Sequence, residues 1–313
     1  MALLVVFIGF RLFQSGESTL VTDSGSTLRR AGLEPARNLD CAELCRRLQL
    51  PLETLQQHAP VYQTVLIPKA AGGHRRLEIP DEATRKLQRT ILRRLLGSLS
   101  AHPCACGFER DTSIVDAAVP HVGRAAVVKM DIRRFFESTT SERVFSWFQS
   151  IGWDSEAATL LVTLTTCDGH LPQGAPTSPR LSNLVNAKLD ETLLSLARRH
   201  RGVYTRYADD ITMSFPFHRG RRLRGIAQAV RRQLRHYGYA MHGGAKLRFR
   251  RRHERQQVLG LVVNSRVNLP REMRRKLRSV RHHLETGRPA TMTPQQLQGW
   301  EALQLMIATQ RTR

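Results

Sequence analysis

"TRYADDITMSF" (residues 205–215) sets two carboxylates, Asp209 and Asp210, side by side between runs that alternate polar and apolar residues. Alternation around a short polar tip predicts a β-hairpin with the acid pair at its tip. Upstream, "AAVVKMDI" (125–132) is a compact apolar run closing on another acid, Asp131, and predicts a buried strand. An antiparallel sheet carrying three carboxylates is therefore the organising expectation. Adjacent aspartates also make ordinary hairpin turns, so the pair alone leaves a turn and a reaction centre both open.

The chain around these acids is strongly basic. Lys and Arg number 49 against 26 Asp and Glu, a net charge of +23 over 313 residues, with a pI near 11.3. Such an excess repels itself unless it meets a polyanion, nucleic acid first and anionic membrane second. The charge is spread over "RRLRGIAQAVRRQLR" (221–235), "KLRFRRRHER" (246–255) and "REMRRKLRSVRHH" (271–283), which suits a long tract of bound duplex. Any one of these runs also reads as a solvated helix face. A hydrophobic content of 41% excludes a disordered tail.

Cys41, Cys45, Cys104, Cys106 and Cys167 are odd in number and form no CxxC pair, and "HPCAC" (102–106) has poor zinc spacing. Reduced thiols in a cytoplasm are expected. The apolar N-terminus, "MALLVVFIGFRLF", is too short to span a bilayer and lacks the marks of a signal peptide. It and the polar linker at 14–38 are expected to lie outside the functional core, with no stable membrane association.

Outward from the hairpin, the chain mixes strands and helices. "NLDCAELCRRLQL" predicts a helix capped by Asn38 or Asp40, and "YQTVLIPKAAGGHRRLEIP" predicts two strands around a Gly-Gly turn. "DEATRKLQRTILRRLLGSL" has acids first and bases later, the order a helix dipole favours. "DTSIVDAAVPHV" predicts a short helix capped by Asp111. Helices are expected over 141–151, 155–166 and 221–237, and one long helix over "TSPRLSNLVNAKLDETLLSLARRH". Strands are expected at "AKLRFR" and "QVLGLVVN", then a basic helix after Pro270. The fold class expected is α+β.

Carboxylates suit Mg²⁺, a hard ion that prefers oxygen ligands. Two such ions close together clamp the attacking and leaving oxygens of an in-line phosphoryl displacement. Asp131, Asp209 and Asp210 are the candidate ligands. A basic surface for nucleic acid and a small acidic island for metal would then account for the acid pair.

Several stretches, in order, resemble reverse transcriptases of the bacterial retron and group II intron branch. "YADD" resembles their catalytic signature, and "KMDIRRFFES" their first metal-binding motif. "LPQGAPTSPRLSNLV" resembles the template- and nucleotide-contacting motif almost letter for letter. "PKAAGGHRRLEIP" resembles the fingers hairpin, "ACGFERDTSIVDAAVPHVG" the segment before the first acid, and "GGAKLRF" and "QQVLGLVVN" the last palm motifs. The resemblance covers about residues 40–285. "AAVPH" (117–121) and "VLG" (258–260) keep His121 and Gly260 of two retron elements, with Ala117 and Leu259 in place of Asn and Thr.

The resemblance implies a right-hand polymerase fold. Fingers and N-terminal helices would span 39–124, a palm 125–268 and a short helical thumb 269–313, with no separate DNA-binding, endonuclease, integrase or RNase H segment. It implies RNA-directed DNA synthesis with two Mg²⁺ ions on Asp131, Asp209 and Asp210, and on the backbone carbonyl of Ile132. Lys69 and Arg75 would meet the incoming dNTP, Phe136 would be the steric gate, and Gln173 and Gly174 would line the nucleotide pocket. Lys246 would lie near the leaving pyrophosphate. Leu259 and Gly260 would help form the primer grip. His121, Arg274, Arg275 and Lys276 are the further candidates for primer or RNA contact. The implied partners are a structured RNA template and primer, the RNA–DNA duplex and dNTPs; phage defence and an effector protein are consistent with the branch. The competing readings are an inactive RNA-binding protein of this fold, a template-independent nucleotidyltransferase and a two-metal nuclease. The intact acids weigh against the first, "QGAPTSP" against the second, and the fingers hairpin and aromatic gate against the third.

Overall fold

In the computed structural model, residues 39–69 and 72–309 are described; the apolar N-terminus, the linker and the alternative cap Asn38 lie outside them. Helix α1 (Cys41–Leu48) is capped by Asp40, whose carboxylate accepts from the Glu43 amide, satisfying one of the free amides of a helix start. After α2 (Leu52–Gln57), strands β1 (Tyr62–Pro68) and β2 (His74–Pro80) pair antiparallel as an isolated ribbon. Gly72 and Gly73 both take positive φ at its tip, which the absence of a Cβ permits. α3 (Glu82–Ile91) starts at Asp81 and runs into a π-turn over Leu92–Leu96.

α4 (Ile114–Ala118) is capped by Ser113, not by Asp111 as expected. Ser113 and Asp116 form a reciprocal capping box, which supplies two partners where Asp111 alone would supply one. Next come β3 (Ala126–Arg133), α5 (Ser141–Ser150) and α6 (Ser155–Thr165). The single long helix expected over 177–200 is two, α7 (Ser178–Val185) and α8 (Ala187–Arg199). Asn186 breaks it: its side-chain amide donates to the Ser182 carbonyl and to the Tyr239 hydroxyl, both at 2.8 Å, competing locally with the helix ladder.

The hairpin is β4 (Val203–Tyr207) and β5 (Asp210–Phe215), followed by α9 (Gly220–His236). A two-residue strand β6 (Ala240–Met241), which the sequence did not suggest, precedes β7 (Arg248–Arg251). β8 (Gln257–Val258) and β9 (Leu261–Val262) form a tight ribbon. α10 (Arg271–Glu285) is the expected basic helix; α11 (Pro294–Thr309), carrying one charged residue, Glu301, was not anticipated.

The central antiparallel sheet runs β4-β5-β3, with β6 and β7 both pairing the far edge of β3. The fold is α+β, as expected. Alternation splits the sheet's two faces. Ala126, Val128, Met130 and Ile132 of β3 join Ile211, Met213 and Phe215 of β5 in a core closed by Leu193 of α8 and Ile226 and Val230 of α9. Val127 faces the other way, into a core built from α4, the β8–β9 ribbon, α10 and α11. A third core joins α1, α3, α5, α6 and α7 through Leu44, Ile91, Phe148 and Leu161. Among the described residues no helix is long and apolar enough to cross a membrane.

Candidate active site

Tyr207 pairs with Asp210, so Ala208 and Asp209 alone make the hairpin tip. Ala208 takes φ +53°, a left-handed conformation unfavourable for a residue with a side chain. Neighbours hold it there. Arg206 Nη1 donates to the Ala208 carbonyl at 3.2 Å. The Ile132 amide donates to the Asp209 carbonyl at 2.9 Å. Gly107 lies against the tip, where a Cβ would sit 3.2 Å from the Ala208 nitrogen and from the Tyr207 ring.

Strand register then assembles the carboxylates. Asp131 lies opposite Asp210, and the Ile132 bond docks Asp209 at the end of the same strand. Asp131 and Lys129 share the sheet face turned away from α8 and α9, because their even-numbered neighbours occupy that core. Lys129 Nζ lies 2.8 Å from Asp210 Oδ2, Lys246 Nζ 2.9 Å from Asp131 Oδ1, and His242 Nε2 3.5 Å from the same oxygen. Burial, with the nearby charges of Asp131 and Asp210, pushes the Asp209 carboxyl up to about 6, against the pull of Lys246. Burial lowers the His242 pKa, and the positive charges of Lys246, Arg133 and Lys69 lower it further. The charge of Lys69, at the tip of the β1–β2 ribbon, is thus felt at His242.

Asp210 Oδ1 is buried without a hydrogen-bond partner while Oδ2 holds Lys129. A buried carboxylate oxygen lacking a donor is costly unless a cation meets it. Hard oxygen donors, two of them already holding ammonium groups, fit a divalent ion such as Mg²⁺.

The other expected residues fall at different distances from this centre. Lys69 and Arg75 are exposed at the ribbon's tip, where the Lys69 amide donates to the Gly73 carbonyl. The Gln173 carbonyl accepts from the Glu78 amide at 2.9 Å, joining this loop to β2. Gly174 takes φ +143°, and a Cβ there would meet the Glu78 carbonyl at 2.8 Å, so glycine is required by close approach. Glu78 and Asp168 are engaged by Arg76, and Glu78 also by His170, which ties the ribbon to the same loop. Phe136 is half-buried, edge-on to the buried Phe135. Leu259 (φ +48°) and Gly260 (φ +84°) form the β8–β9 turn, with Leu259 buried. Arg275 and Lys276 are exposed on α10, while Arg274 is half-buried.

His121 departs from its expected role as an RNA contact. It is fully buried, and its two ring nitrogens hydrogen-bond with Ser214 Oγ at 2.7 Å and Thr205 Oγ1 at 2.8 Å. Burial pushes its pKa down to about 3. It braces β4 and β5 from the sheet face that also carries Lys129 and Asp131, and, fully buried, presents no surface to a ligand.

Sequence reasoning missed the supports. Lys129 was legible, since a residue two before Asp131 on a strand shares its face. The buried ion pair of Arg206 with Asp190 was not. Arg206 Nε and Nη2 reach the two Asp190 oxygens at 2.7 and 2.6 Å, and both side chains are fully buried. Arg206 Nη1 also donates to Asn183 Oδ1 at 3.2 Å. A chain of polar contacts therefore runs from "SNLV" on α7 to the acid-bearing tip.

The model of the family described as "Reverse transcriptase (RNA-dependent DNA polymerase)" matches residues 67–263. Among curated proteins, the chain is similar to the retron Mx65 reverse transcriptase of Myxococcus xanthus, 38% identical over 71% of this chain and 55% of that protein. It is also similar to the retron Mx162 enzyme of Myxococcus xanthus, 33% identical over 83% of this chain and 62% of that protein. The retron Ec86 reverse transcriptase of Escherichia coli is 28% identical over 91% of this chain and 89% of its own length. The chain thus spans less than two thirds of the two Myxococcus relatives and most of the Escherichia one. The family match covers more than half of the chain and encloses all three acids, and the family implies dependence on a divalent metal. The chain belongs to the reverse transcriptase family.

Proposed function

We propose that the chain is an RNA-templated DNA polymerase of the retron type. The observation that carries the reading is the convergence of Asp131, Asp209 and Asp210 at one end of the sheet, with Asp210 Oδ1 buried and unpartnered. Two Mg²⁺ ions bound there would neutralise the phosphates and activate the primer hydroxyl. Asp131 and Asp210 would be the principal ligands, Asp209 the third, and the Ile132 carbonyl an added one. Lys246 stands beside Asp131, suited to neutralise the leaving pyrophosphate. Lys69 and Arg75 would meet the triphosphate from the fingers ribbon.

Phe136 would exclude a ribose 2′-hydroxyl, so dNTPs are the proposed substrates. Gln173 and Gly174 would shape the nucleotide pocket from the loop docked on β2. The Leu259–Gly260 turn would hold the primer strand. The exposed bases of α10, Arg275 and Lys276, with Arg274 beside them, would meet phosphates of the duplex or of the enzyme's own structured RNA. Fingers over 39–124, palm over 125–268 and thumb over 269–313 are the proposed divisions. Ile114 and Val258 share a core with Leu277 and Leu297, so the thumb would be seated on the other two. The retron assignment rests on the curated relatives, whose names carry it.

The test is to sequence nucleic acid co-purifying with the chain expressed from its native locus, for wild type and Asp209→Asn. A defined RNA joined to short DNA in wild type only is expected, with RNA retained by the variant. DNA made by Asp209→Asn would sink the metal assignment; absence of DNA in both, together with no poly(rA)/oligo(dT) extension in Mg²⁺, would sink the polymerase reading. Phe136→Ala should raise ribonucleotide incorporation roughly tenfold or more, and unchanged sugar selectivity would remove the gate.

A further inference from the structure

The face of the sheet opposite the acids is covered by α9, whose outer surface is basic without counter-charge. α9 contains six Arg and no acid over Gly220–His236. Its apolar residues Leu223, Ile226, Ala227, Val230 and Leu234 are all buried against the sheet. Arg221, Arg224, Arg232 and Arg235 are exposed, and among the described residues none lies within ion-pair distance of a carboxylate. Glu191 and Glu254, acids of the neighbouring segments, are engaged by His102 and Arg250 respectively.

The arrangement runs against helix electrostatics. Positive side chains crowd the N-terminal end of α9, the positive end of its dipole, with no acid in the first turn and no side-chain cap. Two guanidinium groups converge there. A Cβ on Gly220 would lie 3.5 Å from Arg224 Nη1 and 3.9 Å from Arg251 Nη2. Arg251 comes from β7, where it pairs with Ala126 and so shares the α9 side of the sheet. Just past the end of α8, His200 Nδ1 accepts from Arg222 Nη2, and the charges of Arg222 and of Arg199, the last residue of α8, help burial to lower its pKa. Three elements thus bring like charges together where folding alone would separate them.

We propose that the outer surface of α9, extended by Arg251 and Arg199, binds the phosphate backbone of double-helical RNA lying outside the catalytic cleft. The inference rests on the reading above that the chain handles RNA. Arginine forks grip phosphate oxygens in pairs, and the surface uses arginine throughout α9. A helix of this length spans about 25 Å, enough to follow several phosphates. The acids lie on the far face of the sheet, so a duplex paired for synthesis in front of them does not reach this surface. An anionic bilayer is disfavoured because the apolar face that would insert is already buried in the core.

The test uses Arg221→Gln/Arg224→Gln/Arg232→Gln/Arg235→Gln in the full chain, with a blunt RNA hairpin of about two turns as the binding probe. Each phosphate contact adds about 0.9 to the slope of log Kd against log [KCl]. The slope is expected to fall by about 3, while kcat and KM for dTTP on poly(rA)/oligo(dT) stay within about twofold. The matching four Arg→Lys changes should restore the slope. An unchanged slope overturns the proposal, as does equal loss of hairpin binding and of affinity for poly(rA)/oligo(dT). Loss of binding to phosphatidylglycerol vesicles with the hairpin slope unchanged overturns it in favour of a membrane. If wild type extends no primer but the slope still falls, the RNA surface stands and the polymerase reading fails. Should the quadruple variant not fold, 4-thiouridine hairpin crosslinked to wild type decides. Crosslinks within 219–236 support the surface, and crosslinks elsewhere only overturn it.

Discussion

Asp209 is largely buried beside the charges of Asp131 and Asp210, and its carboxyl is pushed up to about 6. Its folded pKa is raised above the unfolded value of 3.8. The folded state therefore binds more protons between about pH 4 and 6, and stability falls as pH rises through that window. Above pH 6 the penalty is complete, on the order of 3 kcal/mol. Metal-free Asp209→Asn should therefore melt several degrees above wild type at pH 7.5 and show little difference near pH 4. Scanning calorimetry in a chelator reads this directly, and an equal or lower Tm at pH 7.5 would refute a strained acid. His121 shows the limit of sequence at this scale. A histidine before the first acid looks like a ligand contact, and only packing reveals that Thr205 and Ser214 occupy both nitrogens.

At the scale of elements, the acid-bearing tip is aimed by a buried charge. Asp190 sits on α8 between the buried Leu189 and Leu193, and along the chain it reads as a solvent-facing acid. Its partner Arg206 carries the Ala208 carbonyl on its third nitrogen. Asp190→Asn leaves a buried guanidinium short of its counter-charge and should destabilise by about 3–5 kcal/mol. Asp190→Leu/Arg206→Met replaces the pair with apolar bulk and should recover much of that loss. Primer extension should stay depressed at least tenfold, because the tip loses the donor to Ala208. Denaturant unfolding and single-turnover extension on the same samples separate the two effects; extension that recovers together with stability would make Arg206 a structural residue only.

For the whole molecule, a net charge of +23 makes the protein a poor match for itself and a good one for a polyanion. RNA that binds only the folded state stabilises it by mass action, about 2.7 kcal/mol at one hundred times Kd. Bound RNA should therefore raise Tm by several degrees in 50 mM KCl, and by far less in 500 mM, as counterion release weakens. Fluorimetric melts with and without the co-purifying RNA measure it. No shift at low salt would remove the polyanion as the reason for the charge.

The sequence by itself determined the hairpin with Asp209 and Asp210 at its tip, the strand ending on Asp131, the Gly-Gly ribbon and the order of the family's motifs. These signals are local: alternation, turn residues and short spacings carry them within a few positions. Tertiary structure alone decided that Asp131 faces Asp210, that Lys129 reaches across to Asp210 while Lys246 reaches Asp131, and that Asp190 and Arg206 meet inside the core. It also turned the arginines of α9 to the side away from the acids. Each of these depends on residues far apart in the chain, and whether a charge is solvated, paired or left unpaired is set by what the whole fold packs around it.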